Sequence, residues 1–214
     1  NCCVLTYVFM CFSAPVSFTA SAVLTVTGVS IIKKKPLRHE LLIAAIPILF
    51  AVQQVIEGMQ WLLIRQVEPS LILGYLFLFY AFIIWPIYTP IAVYNIEHSV
   101  KLKNILRFFI LAGFFVASWL LFFVLASPLE IRVLERSIFY NLPYFPYVTE
   151  LYAIVVAGSL FLTSHLYIRW FGYTIAVSFL ISYFFYSVTL TSTWCFFAAI
   201  LSFILYFHFV KKVK

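Results

Sequence analysis

The sequence has 214 residues, of which 65% are hydrophobic and only 10% are charged. About a quarter of the residues in soluble domains are charged, so this composition excludes an ordinary soluble protein and predicts a polytopic membrane protein. The net charge of +7 does not indicate a nucleic-acid partner, because the basic residues lie in short clusters between apolar runs. All seven acidic residues are glutamates, which excludes chemistries that require aspartate.

Seven hydrophobic runs are long enough to cross a bilayer as helices. They cover residues 14–32, 41–64, 71–94, 104–126, 146–167, 171–188 and 192–210. Ser13 is a suitable N-cap for the first run, and Pro15 stands in the first turn, where its missing N–H is harmless. The long loop 127–145 separates the fourth run from the fifth. We therefore predict an all-α fold, a seven-helix transmembrane bundle.

Basic residues predict the orientation of this bundle, because cytoplasmic loops carry an excess of Lys and Arg. With the N-terminus outside, eleven basic residues fall on the cytoplasmic side: Lys33, Lys34, Lys35, Arg38, Lys101, Lys103, Arg107, Arg169, Lys211, Lys212 and Lys214. Only Arg65, Arg132 and Arg136 then lie outside. We expect a multi-pass protein of the cytoplasmic membrane with its N-terminus outside and its C-terminus inside.

The sequence begins with Asn1, and its first methionine is Met10. We predict that residues 1–9 are an upstream or disordered extension. Residues 10–214 are then expected to form a single seven-helix domain.

A polar stripe interrupts the second hydrophobic run. Wound as a helix, Gln53, Gln54, Glu57, Gln60 and Trp61 fall within an arc of about 120°. A charged side chain at this depth costs roughly 2.5–3.5 kcal/mol on insertion scales. Intramembrane acids mark ion or substrate paths, so we predict a site for a small ligand or an ion around Glu57. The alternative is a purely structural hydrogen-bond network between helices.

The predicted topology places the cysteines near the outer face, close to Glu57. Cys11 and Cys195 could form a disulfide, or a soft-metal site together with Glu57, or act as small apolar fillers. The loop 127–145 is the one outer segment large enough to cover the site. Tyr140 or Tyr144 of this loop is therefore a candidate lid residue.

Two further groups of residues have open interpretations. Pro86 and Pro90 in the third run deprive the carbonyls of Phe82 and Pro86 of their helical donors, and they form either a hinge or a permanent kink. His165 and His208 fall on the cytoplasmic side, where they either form a metal site or are interfacial histidines that extend to the membrane surface beside Tyr and Lys.

Four motifs in this order resemble an uncharacterised family of prokaryotic multi-helix membrane proteins whose members begin with Met-Cys-Phe-Ser-Ala. They are Met10-Cys11-Phe12-Ser13-Ala14, the stripe from Gln53 to Trp61, Trp85-Pro86-Ile87-Tyr88 with Pro90, and Trp194-Cys195-Phe196-Phe197-Ala198-Ala199 with His208-Phe209. The resemblance covers the chain from Met10 onward. It supports Met10 as the start and implies no activity.

The leading functional prediction is a non-enzymatic membrane protein with an outward-facing polar pocket around Glu57, acting as a transporter or a sensor. One alternative is a membrane enzyme with Glu57 as acid/base and Cys11 or Cys195 as nucleophile or redox centre. A second alternative is an assembly or scaffold factor. We predict no cofactor and no nucleic-acid partner. The expected partners are the lipid bilayer and an unidentified small ligand or ion, and the oligomeric state stays open.

Overall fold

The computed structural model describes residues 13–134, 137–141 and 147–211. The fold is mostly helical, at 83%. In chain order the helices are α1 (Ala14–Lys33), α2 (Leu41–Gln66), α3 (Leu71–Leu78), α4 (Trp85–Ile96), α5 (Val100–Ala126), α6 (Val148–Phe161), α7 (Leu166–Phe185), α8 (Leu190–Leu201) and α9 (Ile204–Lys211). A π-helical segment, Phe79–Ile84, joins α3 to α4.

The predicted count of seven apolar helices is confirmed within the described residues. Six helical spans are long and apolar enough to cross a membrane, and α6 is a shorter apolar helix. Three of the six combine several elements: Arg38–Gln66 joins a 3₁₀ turn to α2, Leu71–Ile96 joins α3 to α4, and Ser187–Lys211 joins a 3₁₀ turn to α8 and α9.

The loop 127–145 contains a β-hairpin, so the prediction of an all-α fold was wrong at this point. Strands β1 (Glu130–Leu134) and β2 (Ser137–Asn141) pair antiparallel. Their β-branched and aromatic residues favour strands over helix. The strands pack onto the bundle through Ile131 and Ile138, which are both buried. We call this end of the bundle the hairpin end.

The fifth predicted helix ends six residues earlier than expected, at Phe161, and the next helix begins at Leu166 instead of residue 171. The physical reason is a polar turn between them. Both the backbone N–H and the hydroxyl of Ser164 donate to the carboxylate of Glu97, at 2.6 and 3.0 Å. A turn held from outside the helix by a buried carboxylate cannot continue as helix.

The last predicted helix is also divided. It begins at Leu190 after a 3₁₀ turn and breaks between α8 and α9. At the break, the Ser202 hydroxyl donates to the carbonyl of Ala199 at 2.6 Å. Serine side chains that bond to nearby carbonyls compete with helical geometry and often bend helices.

The π-helical segment changes which backbone carbonyl Pro86 leaves without a helical hydrogen bond. The N–H of Trp85 donates to Tyr80 O, five residues back. In that register the partner of the Ala81 carbonyl is Pro86, which has no N–H. The hydroxyl of Tyr152 on α6 donates to Ala81 O instead. The prediction that this proline frees the Phe82 carbonyl was therefore wrong by one residue.

Candidate functional site

The polar stripe of α2 lies inside the protein. Gln53, Gln54 and Gln60 have no exposed surface, and Glu57 and Trp61 are 2% and 3% exposed. Their helix packs against α1, α3, α4 and α8. The stripe therefore faces the neighbouring helices, as its spacing predicted.

The Glu57 carboxylate accepts two hydrogen bonds. The Ser192 hydroxyl on α8 donates to Oε1, and Gln54 Nε2 donates to Oε2 at 3.4 Å. Ser192 has no exposed surface, so the contact links α2 to α8 away from solvent. Both donors are neutral, one a hydroxyl and the other an amide, so neither contact gives the carboxylate a basic partner. Such a group suits the binding of a proton or a cation.

Gln53 extends the polar cluster towards α4 and α8. Its Oε1 accepts from the indole N–H of Trp85 at 2.8 Å, and its side chain also lies within hydrogen-bonding reach of the Cys195 thiol. The Trp85 ring is stacked on Phe50, with centroids 3.9 Å apart. Gln53 is thus oriented by α4 through its carbonyl oxygen.

Several buried polar atoms of the cluster have no hydrogen-bond partner among the described residues. They are Gln53 Nε2, Gln54 Oε1, both amide atoms of Gln60, Trp61 Nε1 and the Tyr140 hydroxyl. Buried polar groups are nearly always satisfied by protein, water or ligand. Unpaired groups concentrated on one face of α2 and on the hairpin therefore indicate a place for water or for a polar ligand.

A cavity of about 760 Å³ lies directly beneath the hairpin. Its walls come from the π-helical segment, α5, the hairpin, α6 and the start of the last span. Tyr140, Trp194 and Cys195 are among its lining residues. Glu57 and the glutamines are not among them, so the cavity ends at Tyr140 and Cys195, and Glu57 lies behind this wall.

Tyr140 connects the cavity with the buried carboxylate. Its ring is stacked on Phe77, with centroids 4.9 Å apart. Burial raises the pKa of the Tyr140 phenol well above its ordinary value, and the charges of Glu57 and Cys195 raise it further. The phenol therefore stays protonated and neutral. Its hydroxyl can donate to a ligand or to water, and it senses the charge of Glu57.

The sequence analysis missed the polar residues that complete the cluster on the side opposite α2. Ser192 and Thr193 of α8 and Ser137 of β2 have no exposed surface. Thr193 Oγ1 donates to Ser137 Oγ at 3.5 Å, which ties the hairpin to α8. The run Thr189-Leu190-Thr191-Ser192-Thr193 was the available signal, since its four hydroxyl groups stand at the start of an otherwise apolar helix.

Two predicted site residues, Cys11 and Tyr144, lie outside the described residues. Cys195 is a buried free thiol in the part of the chain that is described. The disulfide between Cys11 and Cys195 therefore stays a prediction. Pro86 and Pro90 lie within a continuous helical span, and their role as a hinge also stays a prediction.

The four histidines gather at the end of the bundle opposite the hairpin, which we call the histidine end. Their rings follow one another in the order His39, His98, His165, His208, with centroids 5.5, 6.1 and 5.2 Å apart. Glu40 Oε1 lies 3.7 Å from His208 Nε2. His165 and His208 are thus neighbours, and whether they bind a metal stays a prediction. Among residues 13–134, 137–141 and 147–211, no group of three or more His, Cys, Asp or Glu is arranged to hold a metal.

Glu97 is the structural anchor of the histidine end. Besides the two bonds from Ser164, it accepts from the backbone N–H groups of His98 and Ser99, at 2.9 and 2.8 Å. Burial alone raises the pKa of this carboxyl, but the four hydrogen bonds outweigh burial and lower the pKa to about 2. Glu97 is therefore ionised, and it joins the α4–α5 turn to the α6–α7 turn.

Glu97→Gln should destabilise the protein by about 1.5–3 kcal/mol at neutral pH, because bonds to a charged acceptor are lost. The folded-state pKa of Glu97 is lower than its ordinary value of 4.5. Its stabilising contribution is therefore complete above pH 4.5 and is lost as the pH falls towards 2. Thermal unfolding at a series of pH values should show the difference between wild type and variant shrinking below pH 4.5. Substitution of the exposed Glu68 with Gln is the control, and a pH-independent difference would contradict the assignment.

The sequence from residue 10 to residue 214 matches the model of a family of unknown function, DUF6629. The chain belongs to this family. The predicted membership of an uncharacterised family is thereby confirmed, and DUF6629 implies no activity for this chain. No curated protein and no solved structure matches it.

Proposed function

We propose that this protein is an integral membrane protein that binds a small ligand or ion in the cavity beneath the hairpin, acting as a transporter or a sensor. The observation that supports this most is the cavity of about 760 Å³ placed against the buried Glu57 cluster. Ligand sites typically measure about 300–1,000 Å³ and combine apolar walls with a few polar groups. The cavity has that size and that composition.

The arrangement supplies a route from the cavity to Glu57. Tyr140 and Cys195 line the cavity, and both interact electrostatically with Glu57. A ligand that changes the charge or hydrogen bonding at Tyr140 therefore changes the environment of Glu57. Because Ser192 binds Glu57, such a change acts on the contact between α2 and α8. This is the coupling that a transporter or a sensor requires.

The orientation belongs to the same proposal. The hairpin faces the outside and the histidine end faces the cytoplasm, as the distribution of basic residues favours. The cavity then opens outward at the hairpin end of the bundle.

A cavity-filling variant tests the proposal. Thr191 lines the cavity, so Thr191→Trp should occupy its space and leave the helices in place. Purified wild type should be stabilised thermally by at least one member of a panel of small amines, carboxylates, sugars and nucleosides, and Thr191→Trp should not. Leu111→Trp is the matched control, since Leu111 is 66% exposed on α5 and does not line the cavity. Equal stabilisation of the two variants by every active compound would contradict the proposal.

The enzyme alternative is favoured by one specific observation. Cys195 lines the cavity and lies close to both Gln53 and Glu57, so a thiol and a carboxyl group stand next to a space that could hold a substrate. Cys195→Ser distinguishes a transporter or sensor from a thiol-dependent enzyme. It should leave ligand binding intact in a transporter or sensor, and it would abolish turnover of a bound compound in a thiol-dependent enzyme.

A further inference from the structure

The walls of the cavity beneath the hairpin are rich in aromatic rings. Six of its lining residues are aromatic: Phe82, Phe123, Phe139, Tyr140, Tyr152 and Trp194. Aromatic faces carry negative electrostatic potential and attract cations. The cavity therefore presents the surface that positively charged organic groups prefer.

Two of these rings are fixed at right angles to each other. Trp194 and Tyr152 are 5.5 Å apart between centroids, with an interplanar angle of 77°. The Trp194 indole N–H donates to the carbonyl of Ile175 at 3.3 Å, and the Tyr152 hydroxyl donates to Ala81 O. Both rings are therefore held in place before any ligand enters. Such preorganisation lowers the entropy cost of binding.

The one charged side chain among the described lining residues is negative. Glu130 of the hairpin lines the cavity, and Glu57 lies behind Tyr140 and Cys195. Among the described lining residues there is no Lys, Arg or His. Arg132 pairs with Glu130 at 2.8 Å, but it is not one of these residues. An anion would therefore meet a carboxylate and no basic side chain among the described lining residues.

We propose that the cavity takes an organic ammonium ion, with the charged nitrogen against the Trp194 and Tyr152 rings and an apolar body along the Phe side chains. This inference rests on the proposed function, and it names the chemical class of the ligand.

Three probes of nearly the same shape and different charge test this class directly. Choline is the cation, 3,3-dimethylbutan-1-ol is its uncharged carbon isostere, and 3,3-dimethylbutanoate is the anion. Equilibrium binding to the purified protein in nanodiscs should favour choline over the alcohol by about 10-fold, the scale of a desolvated cation–π contact. The anion should bind most weakly.

Three variants test where in the cavity the ammonium nitrogen of choline binds. Trp194→Leu should weaken choline binding about 5- to 10-fold and leave the affinity for the alcohol nearly unchanged. Trp170→Leu is the matched control, because Trp170 is 54% exposed on α7 and does not line the cavity. Glu130→Gln should reduce choline binding by a smaller factor, since this carboxylate is solvent-exposed and already paired with Arg132.

The outcomes separate this inference from the proposed function. If the alcohol binds as tightly as choline and Thr191→Trp removes both, the cavity binds ligands and the ammonium class is wrong. Tighter binding of the anion, or no binding of choline at all, would also overturn the class. The proposed function fails on its own test, when filling the cavity changes the binding of no compound.

Discussion

Gly113→Ala should prevent normal assembly of the bundle or destabilise it by about 3 kcal/mol or more, at the upper end of overpacking costs. A Cβ at Gly113 would stand 2.1 Å from the carbonyl oxygen of Pro86 and 3.0 Å from its carbonyl carbon. Both atoms belong to the backbone of α4, so the clash cannot be relieved by a side-chain rotation. This carbonyl has no helical hydrogen bond, because its donor would be the N–H that Pro90 lacks. At this point α5 packs directly against α4.

Gly158→Ala is the matched control for this effect. A Cβ there would meet Phe109 Cε1 at 2.9 Å, which is the far end of a side chain that can move. The control should fold with nearly wild-type yield and thermal midpoint in detergent. Equal yields and midpoints for Gly113→Ala and Gly158→Ala would contradict the close crossing of α4 and α5.

Glu57→Gln should weaken the binding of ligands strongly while the protein still folds. The glutamine oxygen can accept from Ser192 as the carboxylate does. Gln54 donates to the carboxylate in wild type and has an unpartnered Oε1, so a flip of its amide pairs it with the new NH₂ group. The hydrogen bonds therefore survive, and only the charge and the titratable proton are lost. Ammonium probes should bind about 10-fold or more weakly, which corresponds to about 1.4 kcal/mol.

Glu57→Leu tests how much the loss of the two hydrogen bonds lowers the stability of the protein. It leaves the Ser192 hydroxyl and the Gln54 amide without their acceptor in the interior, at about 1–3 kcal/mol for each unsatisfied group. Its thermal midpoint should lie well below that of Glu57→Gln. If Glu57→Gln responds to ligands like wild type, the charge has no function and the stripe serves only to hold helices together.

Much of the helical architecture could be predicted because each apolar run has the length of a membrane-crossing helix. The burial of Gln53, Glu57 and Gln60 was also predictable, since their spacing places them on one face. The sequence could not reveal that Glu97 captures Ser164 and ends α6 early, because these residues are 67 positions apart. Hydrogen bonds between residues so far apart in the chain leave no local sequence pattern.

The residues that contact Glu57 could not be predicted from the sequence either. Ser192 is 135 residues away in the chain, and no local pattern pairs a serine with a distant glutamate. The hairpin was missed because its two strands are only five residues long each and lie among apolar helices. Tyr140 was nevertheless predicted as a site residue, since the loop that contains it was the one long outer connection.

The access of water to Cys195 tests the central claim most directly. Replacing Cys2, Cys3 and Cys11 with Ser leaves Cys195 as the one cysteine of the chain, and it also removes any disulfide to Cys11. The reagent is the membrane-impermeant trimethylammonium-ethyl methanethiosulfonate, applied from outside to spheroplasts.

The matched control is a protein without native cysteines that carries Leu111→Cys on the exposed apolar face of α5. A cavity that opens at the hairpin end and reaches Cys195 predicts labelling of Cys195, slow because burial disfavours the reactive thiolate, and no labelling of the control. Filling the cavity with Thr191→Trp should protect the thiol. If Cys195 is as unreactive as the cysteine at position 111, no open cavity leads to the Glu57 cluster, and the account is contradicted.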